Sequence, residues 1–283
     1  MTKLIIQIPC FNEELSLPVS LAELPREVPG VDIVEWLIID DGSVDRTAEV
    51  ARELGVDHVV TMKRNSGLAK VFMAGLDACL RLDADIIVNT DADNQYCAAD
   101  IPKLVEPILA GRADYVIGAR PIADIPHFSP IKKALQKLGS WAVRVASNTE
   151  VPDAPSGFRA MSRACALRLN VLSEYTYTIE TIIQAGRANM AIENVDIRVN
   201  GDLRPSRLVK SIASYVQRSV PVAGSSAITR PKGVDRNNVP STINGVASNF
   251  AGCSVFAPAS PVRYVHAGSS CDTFCRSICV SGE

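Results

Sequence analysis

What most constrains this chain is a repeated unit: a short apolar run, a polar strand end, then a helical segment. Leu4-Ile-Ile-Gln-Ile8, Ile33-Val-Glu-Trp-Leu-Ile-Ile39, His58–Met62, Ile86-Ile-Val88 and Tyr115-Val-Ile-Gly118 are runs of strand length. A helix opens near Pro18, a residue suited to a first helical turn. A second places Val44, Ala48, Ala51 and Leu54 on one face and closes at Gly55; others span Leu68–Leu82 and about Ala98–Ala110. Near-continuous apolar strands fit a sheet buried on both faces. Their alternation with helices predicts parallel βαβ units and a doubly wound α/β fold.

Ligands of such sheets sit outside the carboxyl ends of the strands. Here those ends carry Asn12 and Glu13, Asp40 and Asp41, Asp91 and Asp93, and Arg120. The stretch Ile86-Ile-Val-Asn-Thr-Asp-Ala-Asp-Asn-Gln95 is the most informative of them. If the backbone stays extended past Val88, Asp91 and Asp93 aim at one ion, and Gln95 joins from the same side. Hard oxygen ligands in that number suit Mg²⁺ or Mn²⁺. A lone Asp-x-Asp is more often a solvated turn; four loops meeting at one edge argue for a site. No Gly-x-Gly-x-x-Gly follows the first strand and no Gly-x4-Gly-Lys-Ser/Thr occurs, which argues against a dinucleotide dehydrogenase and a P-loop NTPase.

At 283 residues and 47% hydrophobic content the chain can bury a sizeable core. No apolar run approaches the ~20 residues that cross a bilayer, and Met1-Thr-Lys before a short strand is not a secretory signal. Eight cysteines then read as reduced thiols in a cytosolic setting. The net charge of −2 hides an asymmetry: residues 1–100 hold 18 acidic and 8 basic residues, residues 101–283 hold 13 and 21. An acidic half beside a basic half fits phosphate-bearing partners, or simply two solvated faces.

Six elements in order resemble the family-2 glycosyltransferases, in particular the dolichyl- and polyprenyl-phosphate mannosyl- and glucosyltransferases: Ile8-Pro-Cys-Phe-Asn-Glu-Glu14, Ile38-Ile-Asp-Asp-Gly-Ser43, Asn89-Thr-Asp-Ala-Asp-Asn-Gln95, Gly118-Ala-Arg120, Ser156-Gly-Phe-Arg159 and Arg204-Pro-Ser-Arg-Leu208. Each is weak alone; the ordered set is specific. The resemblance implies a Rossmann-like nucleotide-diphosphosugar transferase fold of the GT-A type, a mostly parallel central sheet flanked by helices. It implies that Pro9, Phe11 and Glu13 hold base and ribose, with Ile39 and Asp41 completing the nucleoside site. Asp91, Ala92, Asp93 and Gln95 would line metal and diphosphate. Arg120, Arg198 and Arg207 match positions that meet donor or acceptor phosphates, and guanidinium forks suit phosphate oxygens. Ser156 and Arg159 would meet the acceptor phosphate. Arg163 reads as a solvated helix residue in preference to a phosphate contact.

The implied reaction is inverting transfer of a hexose, mannose or glucose, from a nucleoside-diphosphate sugar to a polyprenyl or dolichyl phosphate, with Mg²⁺ or Mn²⁺ as cofactor. Asp93 and Arg120 serve the departing diphosphate. Asp153 is either a general base or an orienting group for the acceptor loop. Nucleic acid is not an expected partner. A sugar-nucleotide pyrophosphorylase would want a Gly-rich basic loop where Phe11-Asn-Glu-Glu14 stands. Two alternatives stay open: transfer to a polysaccharide or soluble acceptor, and a catalytically silent nucleotide-sugar-binding protein.

The catalytic domain is expected over residues 1–220, with basic amphipathic segments at 131–148 and 206–220. The first reads as lying in a bilayer interface, the second as interfacial or packed on the sheet. The protein is thus expected to be cytoplasmic and peripheral on the membrane face. Residues 221–283 hold 21 Pro, Gly and Ser and only 8 charged residues, and read as a low-complexity, disordered tail. Its composition breaks where a membrane segment of the family would begin, as a change of reading frame would produce. Cys271, Cys275 and Cys279 would share a helix face but match no zinc spacing well.

Overall fold

The computed structural model describes residues 1–121, 149–173, 177–200 and 263–266. Both amphipathic segments, Arg207 and the rest of the tail lie outside the described residues. The chain runs β1 (Lys3–Cys10), α1 (Leu17–Glu23), β2 (Ile33–Asp40), α2 (Thr47–Glu53), β3 (His58–Thr61), α3 (Leu68–Arg81) and β4 (Ile86–Asn89). A 3-10 turn (Ala98–Asp100) leads into α4 (Ile101–Leu109), followed by β5 (Tyr115–Ala119), β6 (Arg159–Ser162), α5 (Arg163–Ala166), α6 (Thr178–Arg187), β7 (Ile192–Asp196) and β8 (Arg263–His266).

One eight-stranded sheet has the order β7-β5-β6-β4-β1-β2-β3-β8. β1 pairs in parallel with β2 and β4, β2 with β3, and β5 with β7; β6 and β8 run antiparallel to their neighbours. The carboxyl ends of β4, β1, β2, β5 and β7 therefore share one edge, and the start of β6 joins them there. The edge strand β8 was not visible in the tail's composition; Tyr264 and Val265 are β-formers, but four residues give too short a pattern to read.

Alternation along β1 divides the core. Leu4, Ile6 and Ile8 pack with residues of β2 and α4 on one face, Ile5 with Val71, Phe72 and Leu76 of α3 on the other. On that second face, Gln7 and Asn89 are fully buried and bonded to each other, Gln7 Nε2 donating to Asn89 Oδ1 at 2.9 Å.

β1 continues through Pro9, where the sequence reads as a strand stop. Gln7 C=O accepts from Thr90 N–H on the β4 side and Cys10 C=O from Asp41 N–H on the β2 side. Alternation thus turns the Pro9 nitrogen toward β4, whose ladder has already ended at the Gln7–Asn89 pair. The missing N–H leaves no gap.

Candidate active site

Three loops are knitted together beyond β1, β2 and β3. Asn12 takes a left-handed φ of 54°, its N–H donating to Ser43 Oγ and its Oδ1 accepting from Val44 N–H, both at 2.9 Å. Glu13 N–H donates to Thr47 Oγ1 at 2.8 Å, and its carboxylate accepts from the Ser16 hydroxyl. Asp41 accepts from Ser66 N–H at 2.6 Å and Gly67 N–H at 3.0 Å, which fixes the lead-in to α3. Gly42 has φ +68°, and a Cβ there would stand 2.6 Å from the Arg64 carbonyl carbon, so the third loop crosses where only glycine fits.

Pro9 and Phe11 are half-buried here, beside the buried Glu13 and Asp41. Ile39, by contrast, is buried on the α3 face, so its side chain is turned away from this edge and only its backbone is placed to meet a ligand. Ala92 likewise turns its methyl into the core, while its carbonyl accepts from Ser20 Oγ–H at 2.8 Å. Burial raises the Asp41 carboxyl above its ordinary value, opposed by the two amides and reinforced by Asp40.

The stretch after β4 departs from the extended form expected of it. It turns at Ala92–Asp93, and Asn94 has φ 55°. Alternation of exposure survives: Asp91, Asp93 and Gln95 are half-buried, and Ala92, Asn94 and Tyr96 are buried. Asp93 Oδ1 accepts from Gln95 N–H at 3.3 Å. The Asp91 carboxylate lies over Gly157, where an added Cβ would meet its oxygens at 3.0 and 3.2 Å.

These residues fit a Mg²⁺ or Mn²⁺ ion by their chemistry. The buried Cys10 thiol is raised by burial first, and then by Glu13, Asp40, Asp45 and Asp91, so four carboxylates act on one point of this edge. Among the described residues no group of three or more His, Cys, Asp or Glu side chains is arranged to hold a metal. An ion held by Asp91 and Asp93 would complete its shell from water and a diphosphate, as hard divalent cations commonly do.

Beyond β5, Arg120 and Asp153 form a buried pair. Nε donates to Oδ2 at 2.7 Å, Nη2 to Oδ1 at 3.0 Å, and the Arg120 backbone N–H to Oδ2 at 3.2 Å. Burial works against the arginine's charge, but Tyr96, Asp153 and Asp91 together hold it above the usual arginine value. At the end of β7, Arg198 is 62% exposed and clasps the fully buried Asp100 through Nε and Nη2, while Lys103 Nζ stands 2.8 Å from Asp100 Oδ1.

Arg159 and Ser156 require a correction. Both are wholly buried. The Arg159 guanidinium donates to the carbonyls of Ser156, Ala154 and Thr178 and to the hydroxyls of Tyr115 and Thr181, all within 2.9 Å. Its charge is spent on the chain's own acceptors, and an acceptor phosphate does not reach it in this arrangement. Arg163 lies at the opposite edge, where Nη1 donates to the Leu80 and Ala84 carbonyls at the end of α3.

Sequence reasoning missed Asp100, Asn89 and Tyr177. Asn89 opens a quoted motif but was given no role, and nothing local marks the other two; Asp100 meets an arginine 98 positions away.

The chain has the GT-A fold, with an acidic edge at β1, β2 and β4. The solved structure of glucosyl-3-phosphoglycerate synthase from Mycobacterium tuberculosis with phosphoglyceric acid matches it with a TM-score of 0.65, covering 82% of this chain and 82% of that one at 21% identity. The structure of that enzyme with Mn²⁺, UDP-glucose and phosphoglyceric acid gives 0.63 over 82% of each chain, also at 21% identity. The sequence places the chain further: it belongs to glycosyl transferase family 2, whose model matches residues 5–167.

Among its relatives, the UDP-N-acetylglucosamine–dolichyl-phosphate N-acetylglucosaminyltransferase of Methanococcus voltae is 31% identical over 68% of this chain and 83% of that protein. The polyprenol monophosphomannose synthase of Mycolicibacterium smegmatis is 31% identical over 56% of this chain and 61% of its own length. The undecaprenyl-phosphate mannosyltransferase of Micrococcus luteus is 29% identical over 67% and 80%.

Proposed function

We propose that this chain is a metal-dependent, inverting hexosyltransferase that moves mannose or glucose from a nucleoside-diphosphate sugar to a polyprenyl or dolichyl phosphate, acting as a peripheral protein at the cytoplasmic membrane face. The observation that carries this reading is the gathering of Glu13, Asp41, Asp91, Asp93 and Arg120 at one sheet edge. The names of the relatives support the acceptor class. No described helix is long and apolar enough to cross a membrane.

The nucleoside lies beyond β1 and β2, against Pro9, Phe11, Glu13 and Asp41, and the diphosphate beyond β4. Asp91, Asp93 and Gln95 would hold Mg²⁺ or Mn²⁺, which when bound neutralises charge on the departing diphosphate. Arg120, whose fork Asp153 holds in place, lies on the same side and would face the diphosphate with its remaining N–H groups; Arg198, and Arg207, which lies outside the described residues, are proposed as further phosphate contacts. The acceptor phosphate oxygen is already anionic at neutral pH, so it attacks the anomeric carbon without a strong general base. That leaves Asp153 as the group that orients Arg120 and the loop through Ser156.

The test is a donor panel of GDP-mannose, UDP-glucose and UDP-N-acetylglucosamine with Mn²⁺ or Mg²⁺ and a short-chain polyprenyl phosphate in detergent. Metal-dependent transfer from GDP-mannose or UDP-glucose supports the reading. Transfer only to a soluble phosphorylated acceptor refutes the lipid assignment, and donor binding without transfer to either refutes the activity.

A further inference from the structure

A single residue, Gly157, lies between Asp91 and the loop that bears Asp153 and Ser156, and the peptide groups on both its sides are held. Gly157 N–H donates to Tyr96 Oη at 2.9 Å. Gly157 C=O accepts from Asn89 Nδ2 at 2.9 Å and, at 3.4 Å, from Tyr177 Oη, which itself accepts from Asn89 Nδ2 at 2.8 Å. Asn89 is fixed in turn by Gln7. None of the three holding side chains is more than 4% exposed, so none can contact a ligand itself. They come from three places: Asn89 ends β4, Tyr96 follows the Asp91–Gln95 stretch, and Tyr177 precedes α6 with its ring stacked on Phe72 of α3 at 3.8 Å and 2°.

Polar groups this deeply buried weaken a core unless all are matched. Here they are matched to one another around a residue whose Cα must stay bare. A Cβ on Gly157 would stand 3.0 Å from Asp91 Oδ2 and 3.2 Å from Tyr177 Oη. The contact is therefore between the carboxylate side of the site and the backbone of the opposite loop, with no side chain between them.

We propose that Asn89, Tyr96 and Tyr177 are positioning residues: they latch the Gly157 peptide against the Asp91 carboxylate and so set the loop carrying Asp153 and Ser156 at a fixed place relative to the metal-binding side. The catalytic consequence rests on the function proposed above; the latch itself does not. Loss of one latch bond frees the loop without touching Asp91, Asp93 or the nucleoside pocket. The acceptor and the sugar then meet in the wrong register, where small displacements are costly in rate.

Tyr177→Phe and Tyr96→Phe test this with ring volume kept and one hydroxyl removed. Hydrogen exchange gives a readout independent of chemistry. Amides of Ala154, Ser156, Gly157 and Phe158 should exchange at least about tenfold faster in each variant, with β1 and α3 unchanged. In the transfer assay kcat should fall about tenfold and KM for the acceptor should rise, while KM for the donor stays within about twofold. A merely structural role would lower the melting temperature and leave this division unmoved. If both variants fold and show wild-type exchange at these amides, the latch is refuted, whatever the enzyme transfers. If exchange rises and kcat does not, the peptide is held but its position is irrelevant to catalysis, which refutes the positioning role. Failure of the wild-type protein to transfer any sugar would count against the proposed function and leave the exchange result to decide the latch.

Discussion

The acidic ends of β2 and β4 look alike in sequence and do different work in the structure. Asp41 is 4% exposed, and both its oxygens accept backbone amides of the loop before α3. Asp91 and Asp93 stay half-buried on a stretch that turns at Ala92–Asp93. One carboxylate is largely engaged in holding the fold; the other pair is the one proposed to meet a cation. The same division separates the arginines. Arg159 is sealed among carbonyls and hydroxyls, while Arg198 is 62% exposed beyond its clasp on Asp100. Residue type announces charge, and burial decides what the charge is for.

The largest expected break in this comparison is Asp93→Ala. Transfer should fall by at least about a hundredfold, the usual cost of removing a group that stabilises transition-state charge. Stability measured in urea should move by no more than about 0.5 kcal/mol, as for a partly exposed loop residue. Wild-type turnover in this variant would remove the metal assignment.

Arg159→Leu should do the reverse. It strips partners from three carbonyls and two hydroxyls in a dry interior, where each unmatched group costs about 1–3 kcal/mol, so a loss of about 3 kcal/mol or more in unfolding free energy, measured by urea titration, is expected. A stable Arg159→Leu protein that had lost only affinity for the acceptor would restore the phosphate role that burial argues against.

The strands, their edge and the acidic loops were legible because they rest on local patterns: β-branched runs, helical spacing and polar residues at strand ends. The fate of individual side chains was not. Arg159 could be read as a phosphate ligand because its partners Tyr115 and Thr181 lie 44 and 22 residues away. Pro9 looked like a strand stop because the direction of its nitrogen depends on where β4 ends. The expectation that Asp91 and Asp93 align on extended backbone failed at Ala92–Asp93, where the chain turns. Burial still alternates along this stretch, with Asp91, Asp93 and Gln95 half-buried and the residues between them buried.

A smaller effect is expected at Asp41. Replacing it with alanine removes two hydrogen bonds to a charged group, and bonds of this kind contribute about 1.5–3 kcal/mol each before the burial of this particular carboxyl is counted. Burial raises its carboxyl and offsets part of that gain. A net loss of about 2 kcal/mol is expected, with faster amide exchange at Ser66 and Gly67. Unchanged exchange there would mean that the loop is held without Asp41, and the contrast with Asp93 would collapse.

The smallest effect, and the most diagnostic in sign, concerns pH. Burial alone would raise the Asp100 carboxyl, but hydrogen bonds from Arg198 and Lys103 outweigh it and lower it from the ordinary 3.8 to about 2. A carboxyl lowered on folding contributes stability that is present above its ordinary value and is lost as pH falls through about 2. Asp41, raised on folding, has the opposite sign: its ionisation costs stability above the ordinary carboxylate range, and protonation at lower pH relieves that cost. Both cations on Asp100 are more than half exposed, so the pair should contribute no more than about 1 kcal/mol at neutral pH. Asp100→Asn should flatten the fall in stability between pH 4 and pH 2, whereas Asp41→Asn should make the decline on acidification steeper just above the ordinary 3.8. Parallel acid titrations of the two variants, followed by urea unfolding at each pH, check the signs directly. If both substitutions flattened the curve, the two acidic ends would not differ in the way their hydrogen bonds require.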